Sequence, residues 1–434
     1  MPQPDSAPVP VPIALPGEAP DGVLAPYHVL DLTDDLGCLC GKILADLGAD
    51  VIKVEPPGGD PTRSIGPYFH DIPDPEKSLF WFAHHANKRG VTLNLETTTG
   101  QELFRRLARS ADFVIESSLP RFLEGYGLGY DGLSRVNPRI ILVSITPFGQ
   151  SGPYRKLRAS DLELMAMSGC MSLAGRPERE PLRVSLAQSP GWAGTTAAMG
   201  ALIAHYHREL TGQGQHVDVS AQASLLWVIA HAPLFWDLNR EIPQRAGEFI
   251  SGRSVSGALM RTIWPCKDGH ITFTIYGGPA GRKTNQALAQ WMDSAGMAPE
   301  WLKAKDWSTF DIATVSAEEI ARLEAAIAPF FATLTKAEFL EGVVRRDMLG
   351  YAVATAEDIL QNPQLQARGY FTAIEHPELG TTLPYPGPFA RFSAGSCAVR
   401  RRAPLIGEHN AEVYGKELGL STEELIRLRE GGII

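Results

Sequence analysis

The stretch from residue 28 to 55 constrains the fold more than any other part of this sequence. Residues 28–33 form a short apolar run that is typical of a buried strand. From Gly37 onwards, apolar residues recur at helical spacing up to Gly48, a typical helix C-cap, and residues 51–55 form a second apolar run. Because the links are short, one helix joins two strands, and this βαβ unit predicts a parallel sheet.

The same alternation of strand and helix continues through the first half of the sequence. Helical segments are predicted at 98–108 and at the Ala-rich stretch 189–210. Three further apolar runs predict strands at 90–95, 113–116 and 140–145. Strands that alternate with helices in this way predict an α/β fold class, with a Rossmann-like, doubly wound large domain.

The pattern changes between about 225 and 345. Residues 263–275 predict a hairpin with Asp268 and Gly269 at the turn, and three helices follow at about 283–296, 317–331 and 335–345. This composition predicts a smaller α+β domain. We therefore divide the chain into a Pro-rich tail at 1–26, a first part of the large domain at 27–225, a linker and small domain at 226–375, and a return to the large domain at 376–434.

Composition and charge exclude several function classes. The 434 residues carry a net charge of -9 at pH 7, which argues against a nucleic-acid partner. No run approaches the roughly 20 apolar residues of a membrane span, and residues 1–26 lack the features of a secretory signal. Five sparse cysteines predict neither a disulfide framework nor a metal site. We expect a cytoplasmic protein that contacts neither nucleic acid nor membrane.

Motifs for nucleotides and for nucleophilic serine are absent from the sequence. No G-x-G-x-x-G follows the first predicted strand, and neither a Walker A sequence nor G-x-S-x-G occurs. Lys88 and Arg89 precede a predicted strand in a polar loop. This pair fits two interpretations, a contact to the phosphates of a ligand or an ordinary solvated loop.

A glycine-rich loop and one carboxylate are the remaining candidates. The loop at 276–281 follows a predicted strand and could fold over a substrate or form an ordinary turn. Asp161 lies at the start of a predicted helix, where it could act as a carboxylate nucleophile. Alternatively, Ser160 or Asp161 is simply the N-cap of that helix. The glycines of the candidate substrate loop are Gly277, Gly278 and Gly281.

Several motifs, in the same order along the chain, resemble those of the family III CoA-transferases, which are also called the CaiB/BaiF family. The resemblance extends from about residue 27 to residue 434. The motifs that carry it lie at 29–33, 47–60, 87–95, 137–144, 148–153, 211–220 and 404–409.

This resemblance implies a fold, an assembly and a reaction. Members have a large α/β domain and a smaller domain, and two ring-like protomers form an interlocked dimer. They move CoA between carboxylic acids, so a CoA thioester is a substrate and no cofactor is permanently bound. An aspartate attacks the acyl-CoA carbonyl to give a mixed anhydride, and the released CoA thiolate then forms an aspartyl thioester. The incoming acid reverses these steps.

The sequence departs from the family where this aspartate is expected. The family places it just before the long Ala-rich helix, and here Gln188, Ser189 or Pro190 occupies that place. None of these side chains can form an anhydride. A racemase subset of the family has His before the Asp of a Gly-His-Asp motif, whereas Ser160 precedes Asp161 here, which argues against racemase chemistry.

Contacts to CoA carry over only in part. The basic residues that the family often has after the second strand and near residue 125 are replaced by Pro56 and Gly125. Lys88 and Arg89 are the remaining nearby cations. The positions that match CoA-bordering segments of the family are Leu93, Asn94, Ser117, Ser118, Thr146, Phe148 and Gly149.

Three functional hypotheses remain. The chain is similar to the Asp-less subunit of two-subunit members such as succinyl-CoA:benzylsuccinate CoA-transferase, so a homologous partner in a heterodimer would supply the aspartate. In the second hypothesis, a homodimer transfers CoA alone and uses another carboxylate, such as Asp161. In the third, the chain is an isomerase, a lyase or a non-catalytic CoA-binding protein on the same fold. The donor and acceptor acids are not readable from the sequence.

Overall fold

The computed structural model describes residues 22–25, 27–252 and 254–434. Apart from residues 22–25, the predicted Pro-rich tail at 1–26 lies outside the described residues. No helix in the described part is long and apolar enough to cross a membrane. Two compact units form: unit 1 comprises the described residues up to Ser168, Leu186–Trp227 and Gln366–Ile434, and unit 2 comprises Gly169–Ser185 and Val228–Leu365.

Strands occur in both units. They are β1 His28–Leu32, β2 Asp50–Glu55, β3 Arg89–Thr92, β4 Phe113–Glu116, β5 Ile141–Thr146, β6 His216–Ser220, β7 Phe249–Ile250, β8 Met260–Arg261, β9 Ile263–Cys266, β10 Gly269–Thr272, β11 Tyr351–Ala352, β12 Phe371–His376 and β13 Thr381–Pro386.

Helices connect most of these strands. They are α1 Cys38–Asp46, α2 Leu79–His85, α3 Thr98–Ala108, α4 Phe122–Gly125, α5 Tyr130–Val136, α6 Asp161–Met167, α7 Ser189–Thr211, α8 Ala221–Leu226, α9 Ala232–Leu234, α10 Gly278–Ser294, α11 Glu300–Lys303, α12 Ala317–Phe331, α13 Lys336–Arg346, α14 Ala356–Leu360, α15 Pro363–Ala367 and α16 Thr422–Glu430.

The first six strands form one parallel sheet in unit 1. Their order is β3-β2-β1-β4-β5-β6, and the register pairs Val29 of β1 with Val51 on one side and Phe113 on the other. Every residue of β3, β4 and β5 is buried, as expected for a parallel sheet that helices cover on both faces. The predicted βαβ unit and the α/β class are therefore confirmed.

The strand order reverses between β1 and β4, at the centre of this sheet. The chain continues from β1 towards β2 and β3 on one side, and from β4 towards β5 and β6 on the other. Loops that leave two such strands diverge, so a crevice opens outside their carboxyl ends. Here those loops begin at Thr33, after β1, and at Ser117, after β4.

Small residues allow helices α1 and α7 to pack closely. A Cβ atom at Gly194 of α7 would lie 2.8 Å from the Leu39 Cβ and 3.1 Å from the Cys40 backbone nitrogen of α1. Ala197 and Ala201 are fully buried in the same helix. The Ala-rich composition of α7 is thus explained by close packing, since larger side chains would separate the two helices.

The C-terminal segment, residues 398–434, packs along the outer strand of the sheet. The backbone N–H of Thr92 in β3 donates to the Asn410 side chain at 2.9 Å. Just after β3, the Asn94 N–H donates to the Ile433 carbonyl at 2.7 Å. Because β3 is the outermost strand of the sheet as the described residues form it, these contacts satisfy backbone groups that the edge would otherwise expose.

Unit 2 contains a three-stranded sheet of order β11-β10-β9 and most of the later helices. The predicted hairpin is confirmed, because Cys266 pairs with Gly269 across its turn. The three predicted helices are also present as α10, α12 and α13. Helix α10 begins at Gly278, earlier than predicted, because Gly277 is its N-cap and a proline follows in the first turn. Residues 169–185 belong to unit 2, although the predicted boundaries placed them in the large domain.

Candidate active site

A cavity of about 300 Å³ lies at the reversal of strand order in unit 1. We call it the switch-point cavity. Its wall is built from the loops after β1, β4 and β5, together with the segment 158–164 and the first residues of α7. Five chain segments that are distant in sequence thus converge at the carboxyl edge of the sheet, where ligands of this fold type bind.

Asp161 lies in this wall and is held by the start of helix α7. Its Oδ1 accepts hydrogen bonds from the backbone N–H of Gln188 and of Ser189, both at 2.8 Å, and from the Ser189 hydroxyl at 2.9 Å. The other oxygen, Oδ2, is buried and has no hydrogen-bond partner among the described residues. Asp161 therefore stabilises a helix that begins 28 residues later, through one oxygen only.

Ser160, and not Asp161, caps helix α6. The backbone N–H of Ser160 donates to the Glu163 carboxylate at 2.8 Å, and both halves of a capping box are present. Of the two alternatives for this helix, Ser160 is thus the residue that performs the capping, which leaves Asp161 available for contacts elsewhere.

The positions where the sequence lacks the expected aspartate lie beside Asp161. Ser189 and Pro190 line the cavity, and Gln188 immediately precedes α7. The Gln188 side-chain amide donates to the Leu186 carbonyl at 3.0 Å. The first turn of α7 therefore contributes no carboxylate to this wall.

Two further carboxylates on the wall were missed in the sequence. The Asp34 backbone N–H donates to the Ser117 hydroxyl at 2.7 Å, and that hydroxyl donates back to the Asp34 carboxylate at 2.6 Å. Asp35 follows directly. Both side chains contact solvent, but the surrounding protein removes part of their hydration and raises the pKa of each. Two acidic residues directly after a predicted strand were a signal that could have identified them.

Arg158 is the cation in the wall of the switch-point cavity, and it was also missed. Its side chain is exposed and makes no ion pair in the described part of the chain. A guanidinium with this freedom can bind a carboxylate or a phosphate. Its position three residues before Asp161 was the available sequence signal.

Lys88 and Arg89, which we predicted as contacts to CoA, do not line the switch-point cavity. Lys88 is fully buried, and its ammonium donates to Asp31 at 2.7 Å and to the Cys38 carbonyl at 3.0 Å. Arg89 is 6% exposed and forms ion pairs, one of which is to Asp50. The interpretation of these two residues as part of a polar, solvated loop is therefore wrong, because both cations form ion pairs with carboxylates inside unit 1. A phosphate contact by either residue stays a prediction that must compete with these pairs.

The other predicted CoA-bordering residues divide between core and loop positions. Leu93 is buried in the apolar core, and the Asn94 side chain accepts from the Glu96 backbone N–H at 3.0 Å in a local turn. Thr146 accepts from the backbone N–H of Gly149 at 2.9 Å, and the positive φ of Gly149 (88°) forms the tight turn after β5. Phe148 lies in the same turn. Only Ser117 and Ser118 of the predicted set line the switch-point cavity.

The glycine-rich loop lies in unit 2 and leads into helix α10. Gly278 has a φ of 73°, which favours glycine. A Cβ atom on Gly281 would lie 2.5 Å from the Tyr276 Cβ, so this glycine permits close packing of the loop. These two positions explain the glycines structurally, and their role in substrate binding stays a prediction.

Comparisons with known proteins agree with the family predicted from the motifs. Residues 24–410 match the family model described as CoA-transferase family III. The chain is 35% identical to subunit BbsE of succinyl-CoA:(R)-benzylsuccinate CoA-transferase from Thauera aromatica, with 94% of this chain and 97% of that protein covered. It is 31% identical to succinyl-CoA–D-citramalate CoA-transferase from Chloroflexus aurantiacus, with 96% and 99% covered. A solved CAIB/BAIF family protein from Brucella suis is 27% identical, with a TM-score of 0.78 and 92% and 100% covered.

Proposed function

Because this chain belongs to CoA-transferase family III, we propose that it is one subunit of a heteromeric CoA-transferase whose homologous partner subunit carries the nucleophilic aspartate. The observation that carries the proposal is the first turn of α7, which has Ser189 and Pro190 at the cavity wall and no carboxylate. An amide, a hydroxyl or an imino acid at this turn cannot form the acyl anhydride that transfer requires. A partner with an aspartate there would complete the reaction.

The hydrogen bonds of Asp161 support the proposal that the nucleophile lies on the partner subunit. Three donors hold its Oδ1, and each of them stabilises the negative charge that a nucleophile must give up on acylation. In this proposal Asp161 is a positioning residue that fixes the start of α7, and Arg158 holds an anionic group of the CoA thioester.

An exposed apolar face of helix α7 supports the presence of a partner subunit. Met199, Ile203 and Tyr206 are 51%, 62% and 68% exposed. Together with α1 and residues 386–392, they border a groove of about 780 Å³ with a largely apolar wall. Large exposed apolar patches mark protein interfaces. We propose that the homologous subunit covers this face, in the interlocked arrangement that the family resemblance implies.

Ile203→Glu tests that interface. A charge in the centre of a buried interface is expected to prevent assembly, because desolvation of the unpaired carboxylate costs several kcal/mol. Co-purification with the tagged partner and light scattering measure the outcome. The matched control is Glu423→Ala, an exposed position on α16, which should leave assembly intact. Assembly that survives Ile203→Glu contradicts the proposed contact.

The similarity to BbsE selects the first acids to test. We propose succinyl-CoA as donor and benzylsuccinate as acceptor, because the enzyme of that relative is named for this pair. The chain should be inactive alone and active once a homologous Asp-containing subunit is added. Mass spectrometry of the stalled reaction should find the CoA adduct on the partner subunit. An adduct on this chain, with activity in the absence of a partner, would contradict the heteromer proposal.

One observation favours a second candidate function, a self-sufficient transferase that uses Asp161. The Oδ2 atom of Asp161 has no hydrogen-bond partner among the described residues, so no hydrogen bond of that atom would have to break before it attacked a carbonyl. In that case Asp161→Asn abolishes transfer by the chain alone and removes the adduct. Glu163→Gln is the control, because glutamine retains the capping box of the same helix. The transferase names of the relatives favour both candidates over an isomerase or a lyase.

A further inference from the structure

A second cavity, of about 500 Å³, lies in unit 1 on the face of the sheet that strands β4, β5 and β6 share. We call it the relay cavity. The register pairs Glu116 with Ser144, and Leu142 with His216, so the side chains of these four residues project from the same face. Buried faces of parallel sheets are usually apolar. Packing of the sheet therefore does not explain why three of these four residues are polar.

The three polar side chains lie in a row across neighbouring strands. The Ser144 hydroxyl lies 2.9 Å from the His216 Nε2, and Ser144 is also the cross-strand partner of Glu116, whose ionised form it stabilises. Glu116 is 5% exposed and Ser144 is 2% exposed. The backbone N–H of Ser118 also donates to Glu116 Oε2, at 2.7 Å. A carboxyl group, a hydroxyl and an imidazole are thus held in fixed positions at the wall of a cavity.

A hydrogen-bond donor without an acceptor in the same wall indicates which kind of ligand atom the cavity would bind. The side-chain nitrogen of Gln150 is buried and has no hydrogen-bond partner among the described residues. The Gln150 backbone is fixed, because its N–H donates to the Asp218 carboxylate at 3.0 Å. Buried donors in folded proteins nearly always have an acceptor. A ligand oxygen at this position would supply it.

Burial is the main determinant of the ionisation of Glu116. Burial raises the pKa of Glu116 to about 7, against the hydrogen bonds from Ser144 and Ser118, so near neutral pH about half of the molecules carry the protonated acid. Loss of hydration lowers the pKa of His216, which is therefore neutral there. The other charged groups near Glu116 are Asp34, Arg121, Glu124, Asp131, Arg135 and Asp218.

We propose that the relay cavity binds a monocarboxylate with an apolar body, and that only the protonated form of Glu116 binds this ligand. The Gln150 amide and the protonated Glu116 would donate to the ligand carboxylate, with Arg121 and Arg135 providing positive charge. Leu142 and Tyr130 offer apolar surface to the body of the ligand. The neighbouring carboxylates disfavour a second negative charge, which excludes dicarboxylates.

The relay cavity is a neighbour of the switch-point cavity, and Leu119 lines both. Ser117 and Ser118 line only the switch-point cavity, whereas Glu116, the residue before them, lines only the relay cavity, so binding there does not require the proposed transfer reaction. Binding can therefore be measured on the full chain without a partner subunit and without turnover.

The probe is 4-fluorophenylacetate, titrated into the full chain and followed by fluorine-19 NMR. We expect millimolar or tighter binding. Because binding requires the protonated form of Glu116, whose pKa is about 7, the affinity for the probe should fall about tenfold between pH 6 and pH 8. Excess CoA should leave the probe bound. No binding in the millimolar range, or displacement of the probe by CoA, would overturn the proposal.

Two variants separate this role from a merely structural one. Glu116→Gln mimics the protonated acid, so binding should persist but its pH dependence should vanish. Gln150→Leu should weaken binding about tenfold, a typical effect of losing one hydrogen bond to a charged group. The control is Gln364→Leu, an exposed position in unit 2. Unchanged pH dependence in Glu116→Gln, or unchanged affinity in Gln150→Leu, would contradict the proposed site.

Discussion

Removing the Asp161 side chain should release the start of helix α7. Asp161→Ala deletes the acceptor of three hydrogen bonds, two of them from backbone N–H groups. Bonds to a charged acceptor contribute about 1.5–3 kcal/mol each; because Asp161 is partly exposed we take about 1 kcal/mol for each, which gives a loss of about 3 kcal/mol. Asp161→Asn retains a neutral acceptor and should cost about half as much, because bonds to a charged acceptor are about twice as strong as bonds to a neutral one.

Hydrogen exchange is the suitable assay, because two compact units need not unfold in a single step. Peptides that cover residues 186–195 report the amides of Gln188 and Ser189. A loss of about 3 kcal/mol in local opening free energy predicts about a hundredfold faster exchange in Asp161→Ala. Asp161→Asn should show about a tenfold increase, and Glu163→Gln should show none.

Unchanged hydrogen exchange at the Gln188 and Ser189 amides would refute this prediction. If these amides exchange in Asp161→Ala as slowly as in the unsubstituted chain, Asp161 does not hold the start of α7. Its proposed positioning role would then lose its basis, and the nucleophilic role of its free oxygen would become the better interpretation.

Three other predictions concern buried and site charges. Lys88→Met should destabilise the chain by about 3–5 kcal/mol in urea unfolding, because it removes the ion-pair partner of the buried Asp31, and the other nearby ammonium, Lys53, is paired with Asp60; wild-type stability would show that the pair contributes nothing. Arg158→Ala should weaken succinyl-CoA binding about tenfold in calorimetry, whereas Arg155→Ala, three residues away and outside the cavity wall, should not. Folding raises the pKa of Glu116 from 4.5 to about 7, so the folded chain holds more protons between these values. The contribution of Glu116 to the free energy of unfolding should therefore fall as pH rises through this window and level off above it, and Glu116→Gln should remove that part of the slope.

The sheet could be predicted from the sequence because its determinants are local. The apolar runs of the strands and the helical spacing between Gly37 and Gly48 are set by neighbouring residues, and short links impose parallel pairing. The hairpin at Asp268 and Gly269 was predictable for the same reason. The π-type helical segment at 411–417 was not predictable in this way, because its wider turn has no sequence signature.

The site could be predicted only in part, because its contacts join residues distant in sequence. Asp161 was identified, but its bonds to the start of α7 depend on how α6 and α7 pack. Lys88 was misinterpreted because its partner, Asp31, is 57 residues away. Glu116 was read as part of a strand, and only the register between β4 and β5 places it beside Ser144.

The packing of residues 398–434 along β3 has a consequence for biosynthesis. Strand β3 leaves the ribosome more than 300 residues before Asn410 and Ile433, which satisfy the backbone next to it. The contiguous stretch 228–365 of unit 2 is translated in between. Because synthesis proceeds at about 5–20 residues per second, the backbone groups beside β3 remain without these partners for tens of seconds. Nascent chains stalled shortly before residue 398 should therefore bind chaperones that recognise unpaired strands, and release from them should coincide with synthesis of the C-terminal segment.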